Sequence, residues 1–409
     1  MITVEEAKEL IHSVVKPLDT ERLMLGDALG RVLAEDVVSP INMPGFCQSA
    51  MDGYAFSWSG FQQFGTLEIV GIVAAGAAEA GPRPAPNQAV RIFTGAPVPE
   101  GFDTVVMQEK VRVENNQLHV EDAALVQGRN VRQIGSEIAK GTVAMLKGTR
   151  LTPAAVGFLA SLGFTEVAVL ASPKIVLIVT GDELQSPGKS LGYGQVYESN
   201  SQLLQSALTW LRFSQVKIVY AKDDLLALTS VLTDALNATD LVLLTGGVSV
   251  GDYDFVPKAA ADAGVKTVFH KIKQKPGKPL FFGAYSKEVA GASPAETYVF
   301  GLPGNPGSVL TCFYQYVTIA LENLTGNQPL CEVGWAKLEH DYSKTAGLTH
   351  FLKAQTAWNH EKQNMQVAVL GAQESFRLSS FARANALIEV PAVVTALNRG
   401  DMVKIYRIE

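Results

Sequence analysis

Lys174-Ile175-Val176-Leu177-Ile178-Val179-Thr180, followed at once by Gly181-Asp182-Glu183-Leu184, is the stretch on which the fold turns. Its apolar run shows no period-two alternation, which marks a strand buried on both faces. Such a strand needs a helical layer on each side. The flanking sequence supplies them: patterns predict a helix over 201–211, a strand over 216–220, a helix over 224–236 and a strand over 241–245. A helix near 254–263, strands over 267–271, 280–283 and 297–300, and a long helix over 306–324 complete the block. Strands alternating with helices imply a three-layer α/β domain with a mostly parallel sheet, assigned here to residues 173–326.

Upstream, Thr3 followed three residues later by Glu6 forms a capping box. Val4, Ala7, Leu10, Ile11 and Val14 then give the apolar stripe of a helix. A second short helix is expected over 27–33. Between 45 and 147, Gly and Pro punctuate short β-type runs (66–73, 89–93, 104–108 and 117–120), which reads as a β-rich module. Thr152-Pro153 then restarts a helix, with Thr as N-cap and Pro at N1. The expected order is therefore a small helical or elongated linker domain (1–44 and 148–172) with the β-rich module (45–147) inserted in it. Downstream, the runs 365–370, 386–390 and 402–408 alternate in period two, so 327–409 is expected to be a β-barrel-like domain. The fold class is multidomain α/β plus β.

The 409 residues are 47% hydrophobic and 18% charged, which excludes a disordered chain. A net charge of −6 argues against a nucleic-acid-binding surface, so an anionic ligand needs a local cluster of cations. Cys47, Cys312 and Cys331 are odd in number and far apart, fitting neither a disulfide framework nor a metal site. The six histidines show no ligand spacing. With no signal-type start and no long apolar run, the expectation is a cytoplasmic protein without membrane or nucleic-acid partners.

In an open α/β sheet, ligands bind beyond the C-terminal strand ends. Five polar motifs fall there: Thr180-Gly181-Asp182-Glu183-Leu184, Lys222-Asp223-Asp224, Gly246-Gly247-Val248-Ser249-Val250-Gly251-Asp252-Tyr253-Asp254, Lys275-Pro276-Gly277-Lys278-Pro279, and Gly301-Leu302-Pro303-Gly304-Asn305-Pro306. All five should converge on one rim. Gly246 and Gly247 let backbone N–H groups approach an oxyanion. Asn305 and Pro306 suit the N-cap and N1 positions of the last helix. Lys271, Lys273, Lys275 and Lys278 gather four ammonium groups. Asp182, Glu183, Asp223, Asp252 and Asp254 offer hard oxygen ligands for Mg²⁺. Taken singly, twin glycines make tight turns, lysine runs make solvated edges, and acids at helix starts are N-caps. Together on one rim they make a phosphate-handling site. Within the β-rich module, Ser49-Ala50-Met51-Asp52-Gly53-Tyr54-Ala55, Thr94-Gly95-Ala96-Pro97 and Met107-Gln108-Glu109 form a second constellation; on its own an Asp-Gly pair is more often a turn.

Ser49–Ala55, Thr94–Pro99, Val105–Glu109, Thr180–Leu184, Gly246–Gly251, Lys275–Pro279 and Gly301–Pro306, in that chain order and spread over essentially the whole chain, resemble the molybdopterin molybdenumtransferase family (MoeA and the E domain of gephyrin). The resemblance implies an enzyme of molybdenum cofactor biosynthesis. It would insert molybdenum from molybdate into adenylylated molybdopterin, with Mg²⁺ and release of AMP. It also implies an elongated homodimer whose cleft joins the β-rich module of one subunit to the α/β domain of the other. Asp52, Thr94, Glu183, Asp223 and Asp254 are then the candidate catalytic groups, with Glu183, Asp223 and Asp254 as metal ligands. Thr180, Gly181, Asp182, Gly246, Gly247, Ser249, Lys271, Lys275, Lys278, Pro303, Asn305 and Pro306 would bind the cofactor precursor. Molybdopterin adenylyltransferase and apo-molybdoenzymes or their chaperones are the implied partners.

The sequence departs from the family at four places: Cys47-Gln48 replaces Asp-Asn, Ser136 replaces the Glu of Gly-Glu-Asp, Glu137 its Asp, and Lys353 stands for an arginine. Two alternatives to the transferase reading are an adenylyltransferase, whose single-domain relatives lack the Ser49–Ala55 motif, and a non-catalytic cofactor-binding or scaffold protein.

Overall fold

The computed structural model describes residues 1–77, 83–248, 255–287, 295–326 and 329–408. They form two units: Met1–Glu21, Gly30–Val32 and Ala168–Glu409 in one, Arg22–Leu29 and Leu33–Val167 in the other.

The larger unit is built on the strand Ile175–Thr180. It lies in a six-stranded sheet ordered Val216–Ala221, Ile175–Thr180, Leu241–Thr245, Ala295–Leu302, Phe281–Lys287, Lys266–His270. The first four strands are parallel and the last two antiparallel to their neighbours. Every residue of Ile175–Thr180 is buried. Ile175 and Leu177 enter one core, with the helix Asn200–Trp210 and the helical run 306–324. Val176 and Ile178 enter the other, with helices Leu225–Ala238 and Val256–Asp262. The alternation of a pleated strand thus feeds two cores, giving three layers. Register sets the rim: Thr180 pairs with Ala221, Val179 with Thr245, and Thr245 with Leu302, so the parallel strands end level.

The long helix expected over 306–324 is one run in three pieces: α-helix Pro306–Cys312, a π-helical turn Phe313–Val317, and α-helix Thr318–Leu324. The N-terminal helix Val4–Val14 carries the expected capping box, closed by Thr3 and Glu6. Its buried residues Val4, Ala7 and Ile11 join the core containing 306–324. Here the structure differs from the sequence reading, which grouped this helix with 148–172: the apolar stripe is covered by the α/β unit. The helix expected over 27–33 is only a 3₁₀ turn, Leu25–Asp27, and Gly30 at φ +81° takes the chain out of helical conformation.

The C-terminal strands close on themselves. Thr349–Asn359, Asn364–Val369, Val333–Leu338, Met402–Arg407 and Ala386–Val390 pair in that order, and the last pairs back to the first. Their alternate residues, such as Leu352, Ala354, Ile388 and Ile405, fill the barrel. Phe351, Leu387 and Tyr406 point the other way, into the α/β core.

The smaller unit holds a six-stranded sheet ordered Thr104–Met107, Gly53–Phe56, Gln88–Ile92, Thr66–Val73, Gln117–Val120, Val111–Glu114. Ala55 and Phe56 face separate apolar clusters on its two sides. The helix Pro153–Ser161 also lies in this unit, capped by Thr152 with Pro153 at its first turn. No helix among the described residues is long and apolar enough to cross a membrane.

Ile11 is fully buried. Ile11→Ala should destabilise the larger unit by about 2–5 kcal/mol. Urea unfolding checks this; an unchanged midpoint would place the N-terminal helix outside that core.

Candidate active site

Beyond the level strand ends lies a cavity of about 900 Å³. All five rim motifs line it: Thr180, Gly181, Glu183 and Leu184; Asp223; Gly246, Gly247 and Val248; Lys275 to Pro279; and Pro303 to Pro306. Parallel register brings four of these loops together, because each leaves its strand at the same height; the lysine loop comes from the antiparallel side of the sheet, past Lys266–His270.

At Gly246 the backbone leaves no room for a side chain. Gly246 has φ +93°, and a Cβ there would stand 2.7 Å from the Thr180 carbonyl oxygen. Its N–H donates to Leu302 O at 3.3 Å, so this amide is taken up by the neighbouring strand end, and its contribution is to shape the turn. At the next loop, Asp224 rather than Asp223 caps the helix, accepting from Ala227 N at 2.9 Å. Asp223 is left facing the cavity, where Thr180 Oγ1 donates to it at 3.3 Å. Pro306 takes N1 as expected, but the Asn305 side chain caps nothing; its Nδ2 donates to Ser375 Oγ at 2.9 Å.

That last contact brings in the C-terminal barrel, for which the sequence suggested no role. Leu348, Gln373, Glu374, Ser375 and Phe376 form one wall of the cavity. Gly307 N donates to Ser375 O at 2.8 Å, and a Cβ on Gly307 would meet that oxygen at 2.7 Å. Opposite, the short strand Gln274–Lys275 pairs with Thr349–Asn359, setting Lys275 beside His350. Burial first, then Lys344 and Lys275, hold His350 below the usual imidazole range. The neutral imidazole is therefore favoured at pH 7. Among the described residues the cations lining the cavity are Lys275 and Lys278.

Lys353 holds the wall in place. It is buried, and its ammonium donates to the carbonyls of Ala372 at 2.7 Å, Glu374 at 3.2 Å and Arg377 at 3.2 Å. Burial lowers its pKa, but the three acceptors suit the charged form. A single ammonium, with its three donors, thus gathers the carbonyls of one loop.

Not every expected residue reaches the cavity. Asp182 and Lys271 do not line it; Asp182 is exposed on its loop, and Lys271 sits in a left-handed bend at φ +71°. Ser249 and Asp254 lie outside the described residues. The sequence reading missed Tyr197, Glu198, Asn200, Gln274 and the 373–376 wall. Of these, Glu198 is buried and bound by Ser201 N at 2.9 Å and Ser201 Oγ at 2.5 Å, while Asn200 Nδ2 donates to Gly304 O at 2.8 Å. They sit where a loop returns to the rim from the short pair Leu184–Gln185 and Val196–Tyr197, a detour that no periodicity signals.

Among the described residues the lining thus holds Glu183, Glu198, Asp223 and Glu374 against Lys275 and Lys278. Among the described residues no three His, Cys, Asp or Glu side chains gather to cage a metal. Mg²⁺, however, is usually held by one or two carboxylates together with substrate phosphates, and Glu183 and Asp223 suit that mode.

In the smaller unit, the second constellation forms. Gly53 is imposed by packing, since a Cβ would lie 1.8 Å from Val106 O. Asp52, just before that strand, accepts from Thr94 N and from Thr94 Oγ1, both at 2.7 Å on Oδ1. These two bonds, the backbone one first, lower the carboxyl pKa below its usual range; Arg91 adds to them. Arg91 also lies over Tyr54 at 5.0 Å and bonds Gln108. Cys47 is a free thiol 3.6 Å from Gln133 Oε1. Gln48 ties Gly95 O (3.2 Å) to Arg132 (3.1 Å), so this residue, which departs from the family motif, braces the Thr94 turn. Ser136 and Glu137 line a separate hollow of about 360 Å³ with residues 41–46.

A twice-covered parallel sheet whose rim loops present two lysines and several carboxylates to one cavity defines an anion-handling α/β protein with accessory β domains. Three family models match in chain order: "MoeA N-terminal region (domain I and II)" over residues 2–163, "Probable molybdopterin binding domain" over 176–323, and "MoeA C-terminal region (domain IV)" over 336–408. The chain is 34% identical to the molybdopterin molybdenumtransferase of Haemophilus influenzae, covering 99% of this chain and 98% of that one. Against the Bacillus subtilis protein of the same name it is 30% identical over 100% and 94%. The crystal structure of the molybdopterin biosynthesis MoeA protein from Pyrococcus horikoshii OT3 superposes with a TM-score of 0.81 at 29% identity, covering all of both chains. The chain belongs to the molybdopterin molybdenumtransferase family.

Two outcomes follow from this geometry. Lys353→Met should cost on the order of 2 kcal/mol, and hydrogen exchange over 372–377 should accelerate while the barrel strands stay protected. Uniform protection would remove Lys353 as the anchor. Thr94→Val deletes one of the two bonds that depress Asp52. The Asp52 pKa should rise toward the ordinary aspartate value, so ionisation is lost at a higher pH as acid is added. A carboxyl-carbon NMR titration reads this directly.

Proposed function

We propose that this chain acts in molybdenum cofactor biosynthesis as a molybdopterin molybdenumtransferase: it inserts molybdenum from molybdate into adenylylated molybdopterin and releases AMP. The observation that carries the reading is the convergence of all five rim loops, with Lys275 and Lys278, on one cavity of about 900 Å³. That volume takes a nucleotide-sized ligand. The substrate carries a phosphoanhydride and the co-substrate is an oxyanion, so the site must hold adjoining negative charges. Lys275 and Lys278 serve that need by holding the adjoining negative charges of the bound substrates together. The exposed ring of Phe376 and the Tyr197 ring on the same lining offer flat faces for a heterocycle.

Mg²⁺ belongs to this proposal: Glu183 and Asp223 would hold it, with Asp254 as the third expected ligand, and the ion would offset phosphate charge. A homodimer would bring Asp52 and Thr94 of one subunit's β-rich module to the cavity of the other. There Asp52, kept ionised by its two bonds from Thr94, can orient a water by accepting its proton in a hydrogen bond. A molybdopterin adenylyltransferase would supply the substrate, and apo-molybdoenzymes or their chaperones would take the product. The proposed setting is the cytoplasm.

The test is AMP release from adenylylated molybdopterin, with and without molybdate and Mg²⁺. Release should depend on both. Lys275→Ala should raise the apparent KM for the adenylate by roughly tenfold, about 1.4 kcal/mol, and change kcat less. Release that ignores molybdate, or ATP-dependent adenylylation by this chain alone, would overturn the reading.

A further inference from the structure

The lysine loop rests on a buried amide. Gln274, 1% exposed, directly precedes Lys275 and turns its side chain back under the loop. Its Nε2 donates to Pro276 O at 2.9 Å and to Gly277 O at 3.3 Å, and lies 3.7 Å from Cys312 Sγ. Its Oε1 accepts from the hydroxyl of Tyr316, a fully buried ring. The amide can sit only one way round, since a flip would turn its oxygen on two carbonyl oxygens.

The loop is pressed onto this support without clearance. Gly277 has φ +87°, and a Cβ there would lie 2.5 Å from Cys312 Sγ and 2.8 Å from Gln274 Nε2. Lys275 and Lys278 flank the two residues whose carbonyls the amide holds, so moving the amide moves both lysines. Tyr316 in turn comes from the π-helical turn Phe313–Val317. Such a turn gives up regular helical hydrogen bonding and is often retained at functional sites. Within it the consecutive residues Gln315 and Tyr316 are both buried, and both make side-chain bonds outside the helix. Gln315 Oε1 takes the Lys8 ammonium at 2.9 Å, and Tyr316 reaches Gln274. Burial pushes the Tyr316 phenol well above its usual pKa, so it stays a donor throughout the working range.

We infer that Gln274, held by Tyr316 from the π-helical turn, is the positioning residue that sets the two lysines of the anion loop for the oxyanions of the substrate. This rests on the transferase reading for its substrate but not for its geometry. Gln274 acts through Lys275 and Lys278, so its loss weakens ground state and transition state alike, which raises KM and spares kcat.

The experiment compares wild type, Tyr316→Phe, Gln274→Met and the double variant by two readouts. The first is molybdate-dependent AMP release; the second is amide hydrogen exchange at residues 275, 277 and 278. Each single variant should raise the KM for adenylylated molybdopterin about tenfold with kcat within about twofold. Exchange in the loop should accelerate at least tenfold. The double variant should be no worse than Gln274→Met, because the two side chains act as one unit. A lower thermal midpoint with unchanged KM and unchanged loop exchange would overturn the inference and leave the pair as core packing. Additive effects on KM would overturn the linkage through Tyr316. Should Gln274→Met fail to fold, Tyr316→Phe decides by the same criteria. A wild-type protein that releases no AMP would sink the transferase reading, and loop exchange alone would then decide the inference.

Discussion

A β-strand buried on both faces can meet solvent only at its ends. Ile175–Thr180 is such a strand: its alternate side chains go to two separate cores, each roofed by helices. Neighbouring parallel strands in register with it end at the same height, so chemistry can be placed only where the chain emerges from the sheet. The rim loops, the cavity and the crowding around Gly246 all descend from that constraint.

The C-terminal barrel turns the rim into a cavity. It contributes the strand that pairs with Gln274–Lys275 and the loop that meets the start of the helix Pro306–Cys312. Lys353 shows how a buried charge can shape a surface without touching ligand: three carbonyls converge on one ammonium, and the backbone between them becomes the wall. An arginine in its place would present a planar fork with a different reach. The lysine found here matches three acceptors clustered about a point.

Charge in the cavity is mixed, with carboxylates outnumbering ammonium groups. A purely cationic pocket would hold anions more tightly but release them more slowly. Acids beside lysines leave room for a divalent ion to enter with the substrate. In the smaller unit Asp52 is treated differently: two donors from Thr94 on a single oxygen favour its ionised form.

Much of this was legible in the order of residues. The unbroken apolar run at 175–179, the capping box at Thr3 and Glu6, and the period-two runs near the C-terminus each report local periodicity, which a chain carries whatever its surroundings. Four of the rim motifs were legible for the same reason, since each sits directly at the end of a strand; the lysine loop begins five residues past His270. What periodicity cannot carry is which surface covers which. The stripe of Val4–Val14 announced a helix but not its partner, and the glycine at 30 ended a helix that composition favoured. Asp182 had the right chemistry one residue from the cavity lining and Lys271 three, and Asp224 rather than its neighbour took the cap. The wall at 373–376, the support from Tyr316 and the grip of Lys353 join residues from about 20 to 70 positions apart. Only tertiary packing chose them, because backbone groups buried far from their own elements must find partners wherever the fold brings them.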